Sequence, residues 1–231
     1  MNTIDVREEI LTKPQHKTRA LVIDCNRFEL ATLAGCLRVH GIDVVGESHE
    51  SRTALQLFRA VHPDVVILSY QGCDDSLINA TQVFRKSVPG VGIVLLSPSP
   101  DLRVFGFNED DLPSGTQIVH RTAMKELDQL SIAIEASLMP DVVTAWTLSQ
   151  LDHGLHALTD VQVETLRLLA QGFSNGDIAK ARYVSEKSVE QTIGRIASHL
   201  RITHEKGRNL RVILAAEFFK WIGASQPHTM K

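Results

Sequence analysis

Residues 158–200 read LTDVQVETLRLLAQGFSNGDIAKARYVSEKSVEQTIGRIASHL, and their apolar positions recur every three or four residues. Val163, Leu166 and Leu169 are three residues apart, and this run ends at Gly172. Spacing of this kind places apolar side chains on one face of a helix. The same spacing recurs at Val189, Ile193, Ile196 and Leu200. The stretch therefore predicts short helices that share one core.

Hydroxyl residues precede three predicted helices in this stretch. Thr159, Ser174 and Ser185 each stand just before a helical run. Ser and Thr are favoured at this position because their side-chain oxygen accepts a hydrogen bond from a free helix N–H. A fourth helix is predicted from about Leu210 to Trp221. The sequence thus indicates an all-α four-helix domain over residues 158–224, followed by a tail at 225–231.

The N-terminal part has a different pattern. Apolar runs of strand length, mostly continuous, alternate with segments of helical period. Strands that are apolar throughout are buried on both faces, which indicates a parallel sheet covered by helices over residues 18–136. A tail (1–17) precedes this domain, and a helical linker (137–157) follows it. The predicted strands lie near 20–23, 42–45, 63–68, 91–96 and 116–119.

Composition narrows the class of protein. The chain has 231 residues and a net charge of -3, but Lys and Arg outnumber Asp and Glu by 11 to 7 over residues 155–231. A basic surplus on a small domain suits phosphate neutralisation and therefore double-stranded DNA. No run reaches the roughly 20 apolar residues of a membrane span, and no secretory signal is recognisable. The three cysteines are widely spaced, which favours a reducing cytoplasm.

Several motifs together carry a family resemblance. LT at 158–159, LAQG at 169–172, SN at 174–175, IA at 178–179 and VSEKSVE at 184–190 resemble the LuxR-type helix-turn-helix. LVID at 21–24, PDVVIL at 63–68 and IVLLS at 93–97 resemble three strands of response-regulator receiver domains. This resemblance implies the α/β doubly wound five-stranded parallel sheet of that family. This order of domains is that of the NarL/FixJ group. The resemblance implies that the third helix of the C-terminal domain enters the major groove.

The resemblance also implies a phosphorylation pocket, and here the chain departs from the family. Receiver domains hold Mg²⁺ with paired acids, phosphorylate an Asp and bind the phosphoryl group with Ser/Thr and Lys. The corresponding residues here are Asp24, Cys25, Ser69, Ser97 and His120. We therefore predict a degenerate receiver that is not phosphorylated and needs no metal or cofactor. Asp74 or Asp75 as a substitute acceptor, and Cys25 as a redox sensor rather than a buried thiol, remain alternatives.

Eight residues are candidates for DNA binding. Glu190 and Gln191 stand where the family reads base edges, although an exposed Glu can also be only a solvated helix residue. Lys187 and Arg195 suit phosphate contacts, which need charge and reach. The full set is Lys180, Arg182, Ser185, Lys187, Ser188, Glu190, Gln191 and Arg195.

The last helix is the candidate for dimerisation. Helix-turn-helix modules usually bind DNA as dimers, and the family commonly pairs through this helix. The apolar candidates are Leu210, Ile213, Leu214 and Phe218. The same residues can instead close the core of the small domain. We expect a homodimer.

Two functions remain after this reading. The first is a transcription regulator that acts without phosphorylation of its receiver. The second is an interaction module, in which the receiver binds a protein or small molecule that controls DNA binding. An enzyme is not expected, because the chain has no HExxH or GxSxG motif and no phosphate-cradling glycine loop.

Overall fold

The computed structural model describes residues 17–70, 76–99, 101–121, 128–139, 154–202 and 207–222. The N-terminal domain alternates strands and helices. Its elements are β1 (Arg19–Asp24), α1 (Arg27–Val39), β2 (Asp43–Ser48), α2 (Ser51–Val61), β3 (Val65–Ser69), α3 (Ser76–Ser87), β4 (Gly92–Ser97), β5 (Gln117–His120) and α4 (Asp128–Ser137). The predicted five-strand α/β class is confirmed.

The five strands form one parallel sheet in the order β2-β1-β3-β4-β5. Alternate residues of the central strands face opposite cores. Leu21, Val66 and Ile93 pack with α2 and α3, while Val22, Ile67 and Val94 pack with α1 and α4. Covering both faces explains why β1, β3 and β4 are apolar throughout. The carboxyl ends of the strands meet along one edge of the sheet.

The connection between β4 and β5 contains no α-helix among its described residues. It forms two 3₁₀ turns, Leu102–Phe105 and Glu109–Asp111. Leu102 and Leu112 are buried in the core on the α2 and α3 side of the sheet. The contribution of this connection to a core was not predicted from the sequence.

The C-terminal domain contains α5 (Asp160–Ala170), α6 (Asn175–Ala181), α7 (Glu186–His199) and α8 (Leu210–Trp221). Thr159 and Gln162 form a reciprocal capping box, in which the Thr159 N–H donates to Gln162 Oε1 over 2.9 Å. Its core joins the apolar faces of all four helices: Val163, Leu166, Leu169, Ile178, Val189, Ile193, Ile196, Leu214 and Phe218. Residues 140–153 of the predicted helical linker lie outside the described residues, and the domain boundaries stay predictions.

Candidate nucleic-acid interface and receiver pocket

Helix α7 separates its side chains into a buried and an exposed face. Val189, Ile193 and Ile196 are buried against the other helices. The opposite face carries Lys187, Glu190, Gln191, Gly194, Arg195 and Ser198, all exposed, which we call the α7 outer face. These positions recur every three or four residues and therefore form one stripe along the helix.

The α7 outer face combines charge with open polar groups. Within the described part of the chain, the side chains of Lys187, Glu190, Gln191 and Arg195 make no hydrogen bond or ion pair. Their donors and acceptors are therefore directed to solvent and are available to a ligand. A groove lined by Gln191, Gly194, Arg195, Ser198 and His199 runs along this face.

Gly194 lies in the middle of the α7 outer face. A Cβ atom built at Gly194 meets nothing within 4 Å. Glycine lowers helix stability relative to alanine by about 1 kcal/mol, so this position gives up stability without any steric need inside the protein. The absent side chain leaves the helix backbone open to close approach by a ligand.

Ser185 and Ser188 lie at the start of α7. Ser185 Oγ accepts a hydrogen bond from the Ser188 N–H over 3.2 Å, so the Ser185 side chain caps the helix. Ser188 is only partly exposed, and its carbonyl accepts from Thr192 Oγ1. Both serines therefore have local structural roles beside the outer face.

The structure separates the two basic candidates on α6. The Lys180 side chain is exposed, 3.6 Å from Asp177 Oδ1. Arg182 instead donates from Nη1 to Thr165 Oγ1 over 2.6 Å and lies 3.4 Å from Glu164. Its side chain is only 11% exposed, and a contact of Arg182 with DNA stays a prediction. The spacing of residues in the sequence could not reveal that the Arg182 guanidinium bonds to side chains of α5.

Tyr183, in the turn between α6 and α7, was not predicted to matter. Its side chain is 96% exposed and its backbone φ is +55°, in the left-handed region that non-glycine residues rarely adopt. It stands beside Lys180 in sequence, at the edge of the helix-turn-helix. A bulky aromatic in this conformation is costly, and such strain concentrates at functional sites.

Helix α8 buries two of the four residues that were predicted to dimerise. Leu214 and Phe218 are buried in the domain core, and Leu210 packs against that core. The burial of Leu214 and Phe218 fits the alternative that these residues close the core of the small domain, while Ile213 is partly exposed. The exposed stripe instead consists of Val212, Ala216 and Phe219.

The receiver pocket, at the carboxyl ends of the strands, contains Asp24, Ser69, Ser97 and His120. Asp24 and Ser69 lie side by side on β1 and β3, and both are 1% exposed. The Asp24 carboxylate accepts hydrogen bonds from the Asn26 N–H, over 2.8 Å, and from the Ser69 hydroxyl. Burial raises the pKa of Asp24, outweighing these hydrogen bonds. A single carboxylate supplies few of the oxygen ligands that a hard cation such as Mg²⁺ needs.

Arg121 places a positively charged side chain in the receiver pocket, and the sequence analysis did not predict this role. Arg121 Nη1 donates to Ser69 Oγ over 3.1 Å, and its Nη2 pairs with the Glu29 carboxylate. His120, the residue predicted for the lysine position, donates from Nε2 to the Pro98 carbonyl over 2.8 Å. The Arg121 guanidinium is therefore already bonded to the Glu29 carboxylate and the Ser69 hydroxyl.

Ser97 and Cys25 complete the predicted pocket residues. Ser97 is fully buried, and its Oγ accepts from the Ser99 N–H over 3.3 Å. Cys25 is disulfide-bonded, so its interpretation as a buried thiol is wrong, whereas Cys36 is a free cysteine. Cys73, like Asp74 and Asp75, lies outside the described residues.

Neither a metal cluster nor a membrane span is present in the described residues. No group of three or more His, Cys, Asp or Glu side chains is placed to hold a metal ion in the portion that the structure describes. None of its helices is both long and apolar enough to cross a membrane.

Comparison with known proteins assigns the architecture. The family model of bacterial regulatory proteins of the luxR family matches residues 156–207. The response regulator protein VraR of Staphylococcus saprophyticus is 25% identical over 169 residues, covering 70% of this chain and 79% of VraR. VraR of Staphylococcus aureus is 24% identical over 167 residues.

Solved structures agree with this fold. A DNA complex of the two-component response regulator RcsB has a TM-score of 0.54 at 18% identity, and the match covers 89% of this chain and 99% of RcsB. The structure of two RcsB dimers bound to two parallel DNAs has a TM-score of 0.53 at 19% identity. The match covers 89% of this chain and 99% of RcsB. The chain is therefore similar to response regulators, with a receiver-like domain before a helix-turn-helix domain. Its residues 156–207 match the luxR family of bacterial regulatory proteins, and this order of domains is that of the NarL/FixJ type.

Proposed function

We propose that this DNA-binding transcription regulator reads duplex DNA with the α7 outer face, as a homodimer, and without phosphorylation of its receiver domain. The observation that carries the proposal is the exposed stripe of unpaired polar and charged side chains on α7, opposite a face buried in the domain core. A helix of this kind fits the major groove of B-DNA.

Each exposed residue has a chemistry suited to one part of the duplex. Lys187 and Arg195 supply positive charge for phosphates. Gln191 offers a donor and an acceptor that together match the adenine edge, and Glu190 can accept from the cytosine amino group. Lys180 adds a further exposed cation on α6.

Helix α8 supports the homodimer. Val212, Ala216 and Phe219 are exposed and lie four and three residues apart, so they form a single apolar stripe. RcsB, a protein of the same fold, binds DNA as dimers. Pairing through this stripe would leave Leu214 and Phe218 in the domain core.

The receiver pocket supports the absence of phosphorylation. Ser69 stands at the acceptor position, and an aspartate is needed there to form a labile acyl phosphate. Asp24 is buried with a raised pKa, and Arg121 is already paired with Glu29. The residues present therefore do not fit a Mg²⁺-dependent phosphoryl switch. We place the protein in the cytoplasm, because a DNA-binding regulator needs access to genomic DNA.

A genome-wide binding assay with recovery of the bound sites tests the proposal. The expected result is a set of short sites with two related half-sites about one helical turn apart, or a multiple of that distance. Half-site symmetry would support the dimer as well as DNA binding. Failure of the purified protein to bind genomic fragments even at low ionic strength would contradict the proposal.

A further inference from the structure

The 3₁₀ turn between β4 and β5 contacts the C-terminal domain. We call residues 101–107 the docking segment. Within it, Leu102 is buried in the receiver core, whereas Val104 is buried in the core of the helix-turn-helix domain. Phe105 packs against both cores. Consecutive side chains of this short segment therefore join two hydrophobic cores.

Arg103 fastens the same contact by polar interactions. Its guanidinium donates to both carboxylate oxygens of Asp101, at 2.7 to 3.2 Å, and to Asp160 Oδ1 at 2.7 Å. It also donates to the Leu158 carbonyl over 3.1 Å. Hydrogen bonds to Asp101 are the main cause of the raised pKa of Arg103, so the side chain stays charged. One cation thus links the docking segment to the beginning of α5.

The backbone of the docking segment fits this role. Asp101 caps the 3₁₀ turn by accepting from the Arg103 N–H over 3.0 Å. Gly106 ends the turn with φ of +87°, and a Cβ atom there would lie 3.6 Å from the Arg167 guanidinium carbon of α5. Glycine therefore suits the left-handed turn, and the second domain packs at ordinary contact distance beside it.

The contact also reaches the receiver pocket. Tyr70, which directly follows Ser69, is 1% exposed and packs edge-on against Phe105, with ring centroids 5.1 Å apart. Phe107 packs against the same ring at 5.9 Å. Because T-shaped aromatic pairs have a defined geometry, the end of β3 and the docking segment support each other.

The position of the contact determines what stays accessible. The docking segment covers part of α5, whereas Lys187, Glu190, Gln191 and Arg195 of α7 are exposed with both domains in place. The α8 stripe of Val212 and Phe219 is exposed as well. Docking therefore leaves open both faces that the proposed function needs.

We propose that the docking segment is a built-in interdomain attachment that holds the helix-turn-helix domain against the receiver in an orientation already open to DNA. Binding of DNA then requires no release of one domain from the other. The proposal rests on the proposed function in one respect, since it takes the α7 outer face as the DNA-binding surface.

Hydrogen exchange in the full chain tests the attachment. Val104→Asp places a charge in the second domain's core without changing a receiver-core residue, and Val88→Asp makes the same change on an exposed valine of the receiver. We expect exchange of the Gly106 and Phe107 amides, which are hydrogen-bonded within the segment, to accelerate at least tenfold in V104D and not in V88D. Equal exchange in both variants would overturn the attachment.

Variants of an exposed residue test the same contact without a change in either hydrophobic core. Asp160 is 81% exposed, so its replacement cannot open the core. Asp160→Arg turns the contact with Arg103 into a repulsion, whereas Asp160→Asn only removes a charge. We expect faster exchange in the order D160R, D160N, parent. The reverse order, or no difference, would contradict the role of Arg103.

DNA affinity separates an open attachment from an inhibitory one. Anisotropy of a labelled duplex at low ionic strength should give V104D and V88D affinities within threefold of each other. A tenfold or larger gain in V104D would mean that docking blocks DNA and would overturn the proposed orientation. Absence of binding by every variant, parent included, would instead contradict the proposed function, while the exchange data still decide whether the domains are attached.

Discussion

The receiver pocket and the α7 outer face are both polar, but their groups are satisfied in opposite ways. In the pocket, Arg121 is bonded to Ser69 and paired with Glu29, and Asp24 is buried and accepts from two donors. On α7, the side chains of Lys187, Gln191 and Arg195 reach solvent without a partner in the described residues. The pocket residues therefore use their hydrogen-bonding groups on one another, whereas those of the α7 outer face are available to a ligand.

This contrast shows why the family resemblance applies to one domain more than to the other. A site that binds a ligand must keep charges or hydrogen-bonding groups available to it. The α7 outer face meets this condition, whereas the described pocket residues use their polar groups on one another. Ser69 ends β3 beside Asp24, at the position that the family resemblance assigns to the phosphoacceptor.

The largest expected effect concerns pairing of two chains. Phe219→Asp places a charge in the exposed apolar stripe of α8 and should dissociate the dimer. Loss of the second half-site contact should weaken binding to a two-half-site duplex by about 100-fold, since linked binding events gain affinity of this order. Sedimentation and anisotropy measure the two effects. Phe28→Asp, on an exposed phenylalanine of α1, is the control, and equal behaviour of both variants would exclude the stripe as the interface.

The next effect concerns charge on the α7 outer face. Arg195→Ala should weaken DNA binding about tenfold and reduce the slope of log affinity against log salt by about 1, because one phosphate contact is lost. Arg59→Ala removes an exposed arginine from α2 and should change neither quantity. An unchanged salt slope in R195A would show that this residue makes no phosphate contact.

Gly194→Ala sharpens the comparison because it should act on stability and on binding in opposite directions. The new methyl group meets nothing in the free protein, so helix propensity should raise stability by about 1 kcal/mol. The same methyl should weaken DNA binding several-fold by blocking close approach. Gly35→Ala, at an equally open glycine of α1, should give a similar gain in stability with no loss of binding. Chemical denaturation and anisotropy decide the outcome.

The smallest effect tests the receiver pocket. Because the folded pKa of Asp24 is raised, its neutral form is favoured by folding, and this stability is present below pH 3.8 and lost as pH rises through the folded pKa. Asp24→Asn keeps an acceptor for Asn26 but carries no charge. The variant should therefore gain stability over the parent as pH rises from 3 to 7. Asp43→Asn, at an exposed site, is the control. If Asp24→Asn lowered the stability at pH 7 and Asp43→Asn did not, the Asp24 charge would be needed for the fold.

Much of the fold was predictable because local rules decide it. Thr159, Ser174 and Ser185 cap the helices that the sequence assigns to them, and the apolar strands form the expected sheet. Side-chain direction was less predictable. Arg121 and His120 are neighbours on the chain, yet only Arg121 bonds to Ser69.

The same limit applies to the helices. On α8, Phe218 and Phe219 are adjacent, but Phe218 is 5% and Phe219 42% exposed, because the rotation of the helix is set by packing against the rest of the domain. Arg182 had the charge expected of a phosphate contact, and its bond to Thr165 depends on how α5 and α6 pack. The docking segment joins residues 103 and 160, a separation at which sequence patterns carry no information.

The most direct test is DNA affinity measured with and without a phosphoryl mimic. Full-length protein is titrated onto a DNA duplex that carries a site recovered by the binding assay, in Mg²⁺ buffer alone, with acetyl phosphate, or with beryllofluoride. Intact-mass measurement follows phosphoryl incorporation in the same samples. The account predicts superimposable binding curves and no added mass. A stable phosphoryl adduct, or a change in affinity of tenfold or more with either reagent, would contradict it.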